Sequence, residues 1–161
     1  MNRFSAVSWF LSLGLALAMG FQGGASQNHT TVKPDALMWK ASDIFPNSAE
    51  SAALVGDPHQ SGDFTIRLKI SGQYKVQPYS QSEIENITVL SGSVHVGFGS
   101  SFTTSGAEIL MPGGFISIAP GTVHYWWTEE PSVLQLHGNG CLQLIYVGQT
   151  VAPAPCKSAA Y

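Results

Sequence analysis

The chain has 161 residues, of which 44% are hydrophobic and 11% charged, with a formal net charge of −3. This length fits one domain that buries a sizeable core without a structural metal or several disulfides. Seven Lys and Arg residues are too few for a phosphate-binding surface, so we expect no nucleic acid partner. The low charge fraction disfavours a long coiled-coil helix, whereas 17 Gly and 9 Pro are typical of turn-rich β-structure.

The first 26 residues have the features of a secretory signal peptide. Arg3 precedes an apolar run over 9–19, and small residues follow over 20–26, which is the order of a positive start, an apolar core and a cleavage region. The apolar run is shorter than the roughly 20 residues of a membrane-spanning helix. We therefore predict an exported protein, periplasmic or extracellular, with no membrane span once residues 1–26 are removed.

The remaining chain divides into a predicted domain over 33–148 and a tail over 149–161 that we expect to be loosely held. Within the domain, short runs of apolar and β-branched residues alternate with Gly, Pro, Asp and Ser clusters, and no run has a sustained helical period. Ten or eleven short strands at this spacing predict a sandwich or a barrel. Among them are 37–40, 52–55, 64–70, 84–90, 93–98, 108–111, 115–118, 122–128, 133–137 and 142–147.

Cys141 and Cys156 are the only cysteines. Export would place both in an oxidising compartment, which favours a disulfide between them. The tail must then double back along the last predicted strand, so two unpaired thiols remain the alternative. A bridge that closes a loop of this length, about 15 residues, contributes about 3 kcal/mol.

Two spaced motifs carry the chemistry of the sequence. Glu85 is followed after six residues by Gly92, and Gly113 stands five residues before Ala119-Pro120-Gly121, which His124 follows after two more. In these motifs the chain resembles the cupins, specifically the small exported single-domain cupins of bacteria, over about residues 32–147. The resemblance implies an all-β cupin jelly roll, described as a β-barrel or sandwich. It also implies a metal site to which both motifs contribute ligands.

The first motif departs from the cupin pattern at two of the four ligand positions. Tyr79 and Gln81 stand where the usual motif has paired histidines, so Glu85 and His124 are the two usual ligands that remain. Imidazole suits the later divalent metals, whereas an amide and a phenol with an unperturbed pKa of about 10 are poor substitutes. This leaves two alternatives: one divalent ion held weakly by a mainly oxygen set, or no cofactor.

Without a metal, Glu85, His124 and Tyr79 form a candidate catalytic set, because a carboxylate, an imidazole and a phenol in one pocket can exchange protons. The resemblance supports this alternative, since cupin-like sugar epimerases transfer protons without a metal. The other interpretation makes Glu85 and His124 polar partners in a binding barrel. We expect small-molecule binding through a histidine-depleted pocket, with a metal-free isomerase, cyclase or lyase, or a metal-dependent enzyme, as the alternatives.

Strand alternation suggests further pocket residues. Trp126 should point inward beside His124, where it either lines a pocket for a flat or apolar ligand or packs in the core. His137 and Arg67 are weaker candidates: each is an ordinary strand residue by default, although an inward Arg67 would bind a carboxylate well.

The same alternation places Tyr125 and Trp127 on the outer face of their strand. Two exposed aromatic side chains would form an apolar patch, and such patches often mark a partner surface. Cupins commonly dimerise through a sheet face, so the patch and the resemblance together predict a homodimer.

Overall fold

The computed structural model describes residues 29–45 and 47–149. Regular structure in this part of the chain is β, apart from one 3-10 turn over Pro34–Ala36. Eleven strands are present among the described residues, and all of them are short. They are β1 (Lys40–Ala41), β2 (Ala49–Val55), β3 (Gly62–Ile70), β4 (Tyr74–Ser80), β5 (Glu85–Ser91), β6 (Val94–Phe98), β7 (Glu108–Leu110), β8 (Phe115–Ile118), β9 (His124–Thr128), β10 (Ser132–Gly140) and β11 (Ile145–Tyr146).

The strands form two antiparallel sheets, which confirms the predicted all-β jelly-roll fold. One sheet has the order β1-β2-β3-β10-β5-β8 and the other the order β11-β4-β9-β6-β7. Each strand contributes one row of side chains to a common core because successive residues of a strand point to opposite faces. On β3, for example, Phe64, Ile66 and Leu68 are buried while the residues between them are partly exposed.

Several predictions fall on residues outside the described ranges. The signal peptide over 1–26 and the tail beyond 149 belong to this group, as does Cys156. Cys141 is disulfide-bonded, and its pairing with Cys156 stays a prediction. Among the described residues, no helix has the length and apolar character to cross a membrane.

The predicted strands 37–40 and 142–147 are mostly irregular in the structure. Only Lys40–Ala41 and Ile145–Tyr146 pair with neighbouring strands. The Leu142 amide donates instead to the Pro58 carbonyl at 2.7 Å, and its side chain is buried in the core. At Leu142 the apolar run therefore marked burial without a strand, whereas Met38 in the first run is exposed.

Strand β4 was absent from the sequence prediction because a β-bulge interrupts its alternation. Val76 pairs with Trp126 and Tyr79 with His124, so Gln77 and Pro78 together oppose one residue of β9. An extra residue in one strand shifts every later side chain to the other face. The bulge is what turns Tyr79 into the interior.

The predicted outer patch of Tyr125 and Trp127 is wrong, since their exposed fractions are only 1% and 8%. Phe102, in the connection between β6 and β7, packs on the two rings at centroid distances of 4.8 and 5.2 Å. His95 stacks on Trp127 at 4.7 Å. The side chains do lie on the outer face, but a loop covers them, so the homodimer stays a prediction without this support.

Gly97 on β6 is required by the close approach of Tyr125. A Cβ atom at Gly97 would overlap the Tyr125 ring, which is fully enclosed and cannot move aside. We expect Gly97→Ala to lower the free energy of unfolding by about 1–3 kcal/mol, measured by urea denaturation. In a Tyr125→Ala background the same change should cost little, and an equal cost in both backgrounds would contradict the steric explanation.

Candidate functional site

Five side chains meet inside the barrel at one end of the second sheet and the start of β5. Tyr79 lies on β4, Gln81 follows that strand, Glu85 begins β5, and His124 and Trp126 lie on β9. Their exposed fractions range from 0 to 3%. The structure therefore brings together the four positions of the predicted ligand set and the predicted inward Trp126.

The Glu85 carboxylate is the centre of this cluster. Tyr79 Oη donates to Oε2 at 3.1 Å and lies 3.3 Å from Oε1. Gln81 Nε2 donates to Oε2 as well, and His124 Nε2 lies 3.0 Å from that same oxygen. Hydrogen bonds to an ionised or shared-proton carboxylate are stronger than those between neutral groups, so these contacts compensate the burial of Glu85.

The hydrogen bonds of His124 define how many protons the pair holds. Nδ1 lies 3.0 Å from the Thr122 carbonyl oxygen, which can only accept, so Nδ1 carries a proton. Nε2 faces the Glu85 carboxylate, and two lone pairs at 3.0 Å would repel each other. One further proton therefore lies between Glu85 and His124, either as imidazolium with carboxylate or as neutral imidazole with carboxylic acid.

Tyr79 extends the network away from Glu85. Its oxygen accepts a hydrogen bond from Trp126 Nε1 at 3.1 Å and donates toward the carboxylate. Burial raises the pKa of Tyr79 well above its usual value of 10, and the charge of Glu85 raises it further. Tyr79 is thus a neutral donor at physiological pH.

The donor set does not fit the transition metal that an intact four-ligand motif would hold. Tyr79 stays a protonated phenol, and the Gln81 amide turns its nitrogen toward the carboxylate. Within residues 29–45 and 47–149, no group of three or more His, Cys, Asp or Glu side chains is arranged to hold a metal ion.

Gln81 leaves one polar atom of the site without a partner. Its exposed fraction is 2%, and its Oε1 makes no hydrogen bond to any described residue. Reversing the amide would bring oxygen against the carboxylate, so the orientation with Nε2 toward Glu85 is the stable one. The site therefore contains a buried acceptor that has no partner among the described residues.

Phe45 closes the network on its apolar side, and sequence analysis missed it. Its ring meets Trp126 edge-on at a centroid distance of 5.3 Å and Tyr79 at 6.4 Å. The side chain is fully buried, although it lies between β1 and β2 rather than on a strand. Its amide donates to Ser42 Oγ at 3.0 Å, and a serine three residues before an apolar residue was the one local signal of an ordered turn.

Arg67 and His137 do not reach this site, which corrects their predicted place in the pocket. Leu134 and Leu136 take the inward positions on β10, so His137 points outward and stacks on Phe115 at 6.3 Å. Arg67 lies opposite Gln135 on the same outer face. Alternation separated the two faces correctly, but the larger apolar residues decided which face was buried.

Buried tyrosines make the fold sensitive to high pH. Burial raises the pKa of Tyr79, of Tyr146 and, to about 12, of Tyr74. A raised folded-state pKa means that stability is fully present below the unfolded value of about 10 and is lost as pH rises toward the folded value. We expect the free energy of unfolding to fall above about pH 10, by up to about 1.4 kcal/mol per pH unit for each tyrosine.

Urea denaturation at several pH values above about 9 tests this expectation. In Tyr79→Phe the free energy of unfolding should fall less steeply with alkaline pH, because one of the three contributing tyrosines is removed. An unchanged slope in this variant would show that Tyr79 ionises equally well in the folded and unfolded chains.

Comparisons with known proteins agree with the geometry at the level of fold. No protein-family model and no curated protein sequence matches the chain. The solved polyketide cyclase RemF from Streptomyces resistomycificus is 16% identical with a TM-score of 0.62, covering 76% of this chain and 87% of that one. An RmlC-like cupin from Shewanella frigidimarina is 10% identical with a TM-score of 0.54, covering 67% and 87%.

A cupin 2 domain-containing protein from Halorhodospira halophila gives a similar result. It is 16% identical with a TM-score of 0.51, and the match covers 62% of this chain and 70% of that one. Identities this low establish a shared fold and no shared activity.

Proposed function

On a chain with the cupin fold, we propose that the Glu85 site binds a small molecule through hydrogen bonds and a shared proton, in place of the usual metal. One observation carries the proposal: Tyr79, Gln81 and His124 all converge on one buried carboxylate, at the positions of the cupin ligands. Hydrogen bonds join these four side chains, where the usual cupin motif would supply metal ligands.

A purely structural role explains this cluster less well than a binding role. Burying a carboxylate, an imidazole and an amide costs desolvation energy, and apolar residues of similar volume stabilise a core at least as well. A structural network is also expected to satisfy its own polar atoms, whereas Gln81 Oε1 has no partner in the part of the chain that the structure describes. A ligand that supplies a donor would account for this acceptor.

Acid–base catalysis is the second candidate, and the proton between Glu85 and His124 favours it. A pair that holds one mobile proton can protonate one atom of a substrate while the neighbouring group accepts a proton from another. Isomerisation, cyclisation and elimination all need such an exchange. The similar polyketide cyclase supports the compatibility of this fold with ring closure, and Glu85→Gln should abolish turnover if this candidate is right.

Elemental analysis and native mass spectrometry of the full exported protein test the proposal. We expect transition metal well below one equivalent and a retained organic molecule that denaturation releases. A near-stoichiometric transition metal would overturn the metal-free site. Retained ligand with unchanged turnover in Glu85→Gln would favour binding over catalysis.

We further propose that this function is performed outside the cytoplasm by a homodimer. The support is the signal-peptide pattern over residues 1–26 and the dimerisation habit of cupins. N-terminal sequencing of the exported protein should begin near residue 27, and light scattering should give twice the mass of the processed chain. An uncleaved N-terminus or a monomer mass would contradict the corresponding part.

A further inference from the structure

The molecule contains a second space, apart from the Glu85 network. A cleft of about 390 Å³ is lined by residues of β1, β2 and β3 and of the loops on either side of β2. This volume lies within the range of about 300–1,000 Å³ that is usual for small-molecule sites. The side chains that hydrogen-bond to Glu85 do not line this cleft, so it is a separate candidate site.

The floor of the cleft is aliphatic and can be reached from solvent. Ile44 and Ile66 belong to the core and form part of the lining. Ala53, which also lines the cleft, pairs with Ile66 and so points to the same face of the sheet. Ala53 is nevertheless exposed. A core-facing residue is exposed here because the cleft reaches it, so the space has an open route.

Lys40 and Ser51 lie side by side in the lining. They are register partners on β1 and β2, so their side chains point to the same face of the sheet. Ser51 is only 5% exposed, and its hydroxyl has no hydrogen-bond partner among the described residues. Lys40 likewise has no ion pair in this part of the chain. An ammonium group and a hydroxyl without partners are together suited to bind a carboxylate.

The rim of the cleft also offers one carboxylate oxygen. Asp43 Oδ2 pairs with His59 Nε2 at 3.1 Å, whereas Asp43 Oδ1 has no partner within the described ranges. Asp57 already holds its turn with both oxygens, because the His59 amide donates to Oδ1 and Gln60 Nε2 donates to Oδ2, each at 2.9 Å. Asp43 is therefore the acid that can accept from the ammonium group of a ligand.

We propose that this cleft is a second binding site and that it takes a free α-amino acid with an aliphatic side chain. The carboxylate of the amino acid binds Lys40 Nζ and Ser51 Oγ. Its ammonium group donates to Asp43 Oδ1, and its side chain packs on Ile44 and Ile66. A zwitterion matches both charges of the lining, whereas a ligand with one charge leaves the other charge of the lining without a partner.

Calorimetric titration of the full exported protein with four small molecules tests the site. L-leucine has all three recognised groups, L-leucinol lacks the carboxylate, 4-methylpentanoic acid lacks the ammonium group, and glycine lacks the aliphatic side chain. We expect saturable binding of leucine. Each of the other three should bind about tenfold more weakly or worse, the usual effect of losing one charged hydrogen bond or one buried aliphatic side chain. No saturable binding of leucine, or equal binding of any of the other three, would overturn the inference.

Lys40→Met tests whether the carboxylate of the amino acid lies in this cleft. Lys40 is exposed, so its replacement should leave the fold intact. Leucine affinity should fall about tenfold in this variant, whereas leucinol affinity should stay the same because leucinol has no carboxylate to lose. Asp43→Asn should likewise weaken leucine binding and leave the binding of 4-methylpentanoic acid unchanged.

Lys33→Met is the matched control for the loss of a positive charge. Lys33 is also exposed but does not line the cleft, so this variant should bind leucine as tightly as the wild type. The inference fails if Lys33→Met loses as much leucine affinity as Lys40→Met. It fails equally if Lys40→Met weakens leucinol and leucine by the same factor.

Discussion

Tyr79→His combined with Gln81→His should raise the affinity for Ni²⁺ or Zn²⁺ on the order of 100-fold. The change supplies two imidazoles beside the Glu85 carboxylate and His124, and so completes a set of three nitrogens and one oxygen. Calorimetric titration of the metal-free double variant measures the effect. Metal ligands must be deprotonated, so the affinity should rise with pH.

Lys75→His with Gln77→His is the matched control. These residues lie on the same strand as Tyr79 and are exposed, so the control adds the same two imidazoles on the opposite face, away from Glu85. It should bind metal more weakly than the interior variant. Wild-type protein that already binds as tightly as the interior variant would refute the argument from missing nitrogen donors.

The centre of the site was predictable because its two spaced motifs resemble those of the cupins. Glu85 and Gly92 bound one strand, and Gly92 has a φ of 71°, which glycine adopts readily at the turn into β6. His124 begins β9 as its motif spacing implied. Local turn chemistry and strand length determine these positions, and both depend on residues that are close in the sequence.

The rest of the wall depends on contacts between distant parts of the chain. Tyr79 faces the interior through a bulge at Gln77 and Pro78, which breaks the period on which strand prediction relies. Phe45 joins the site from an irregular segment with no period at all. The packing of the other sheet decides the positions of Tyr79 and Phe45. A local sequence pattern does not encode that packing.

Which face of a strand is buried could not be predicted for the same reason. Trp127 lies on the outer face, as alternation predicted, but Phe102 covers it from a loop that pattern analysis treats as solvent-exposed. Alternation correctly placed His137 and Leu136 on opposite faces of β10. Which side met the core depended on a comparison of apolar volume across the sheet.

Glu85→Leu should lower the free energy of unfolding by about 3–5 kcal/mol, the usual cost of removing one member of a buried polar pair. Leucine fills much of the volume but leaves Tyr79 Oη, Gln81 Nε2 and the extra proton of His124 without an acceptor. Glu85→Gln should cost only about 1 kcal/mol. Its amide oxygen can accept from Tyr79, and its nitrogen, in the place of Oε2, can donate to a neutral His124 and to Gln81 Oε1 once the Gln81 amide is reversed.

Urea denaturation at neutral pH compares the two variants, with Glu83→Leu as the control for loss of a carboxylate at an exposed position. The control should change stability by less than about 0.5 kcal/mol. The contrast between the Leu and Gln variants is the diagnostic quantity, because it isolates the hydrogen bonds from the charge. Equal losses in both would mean that the negative charge of Glu85, more than its hydrogen bonds, holds the cluster together. The shared proton would then reside on His124 as imidazolium.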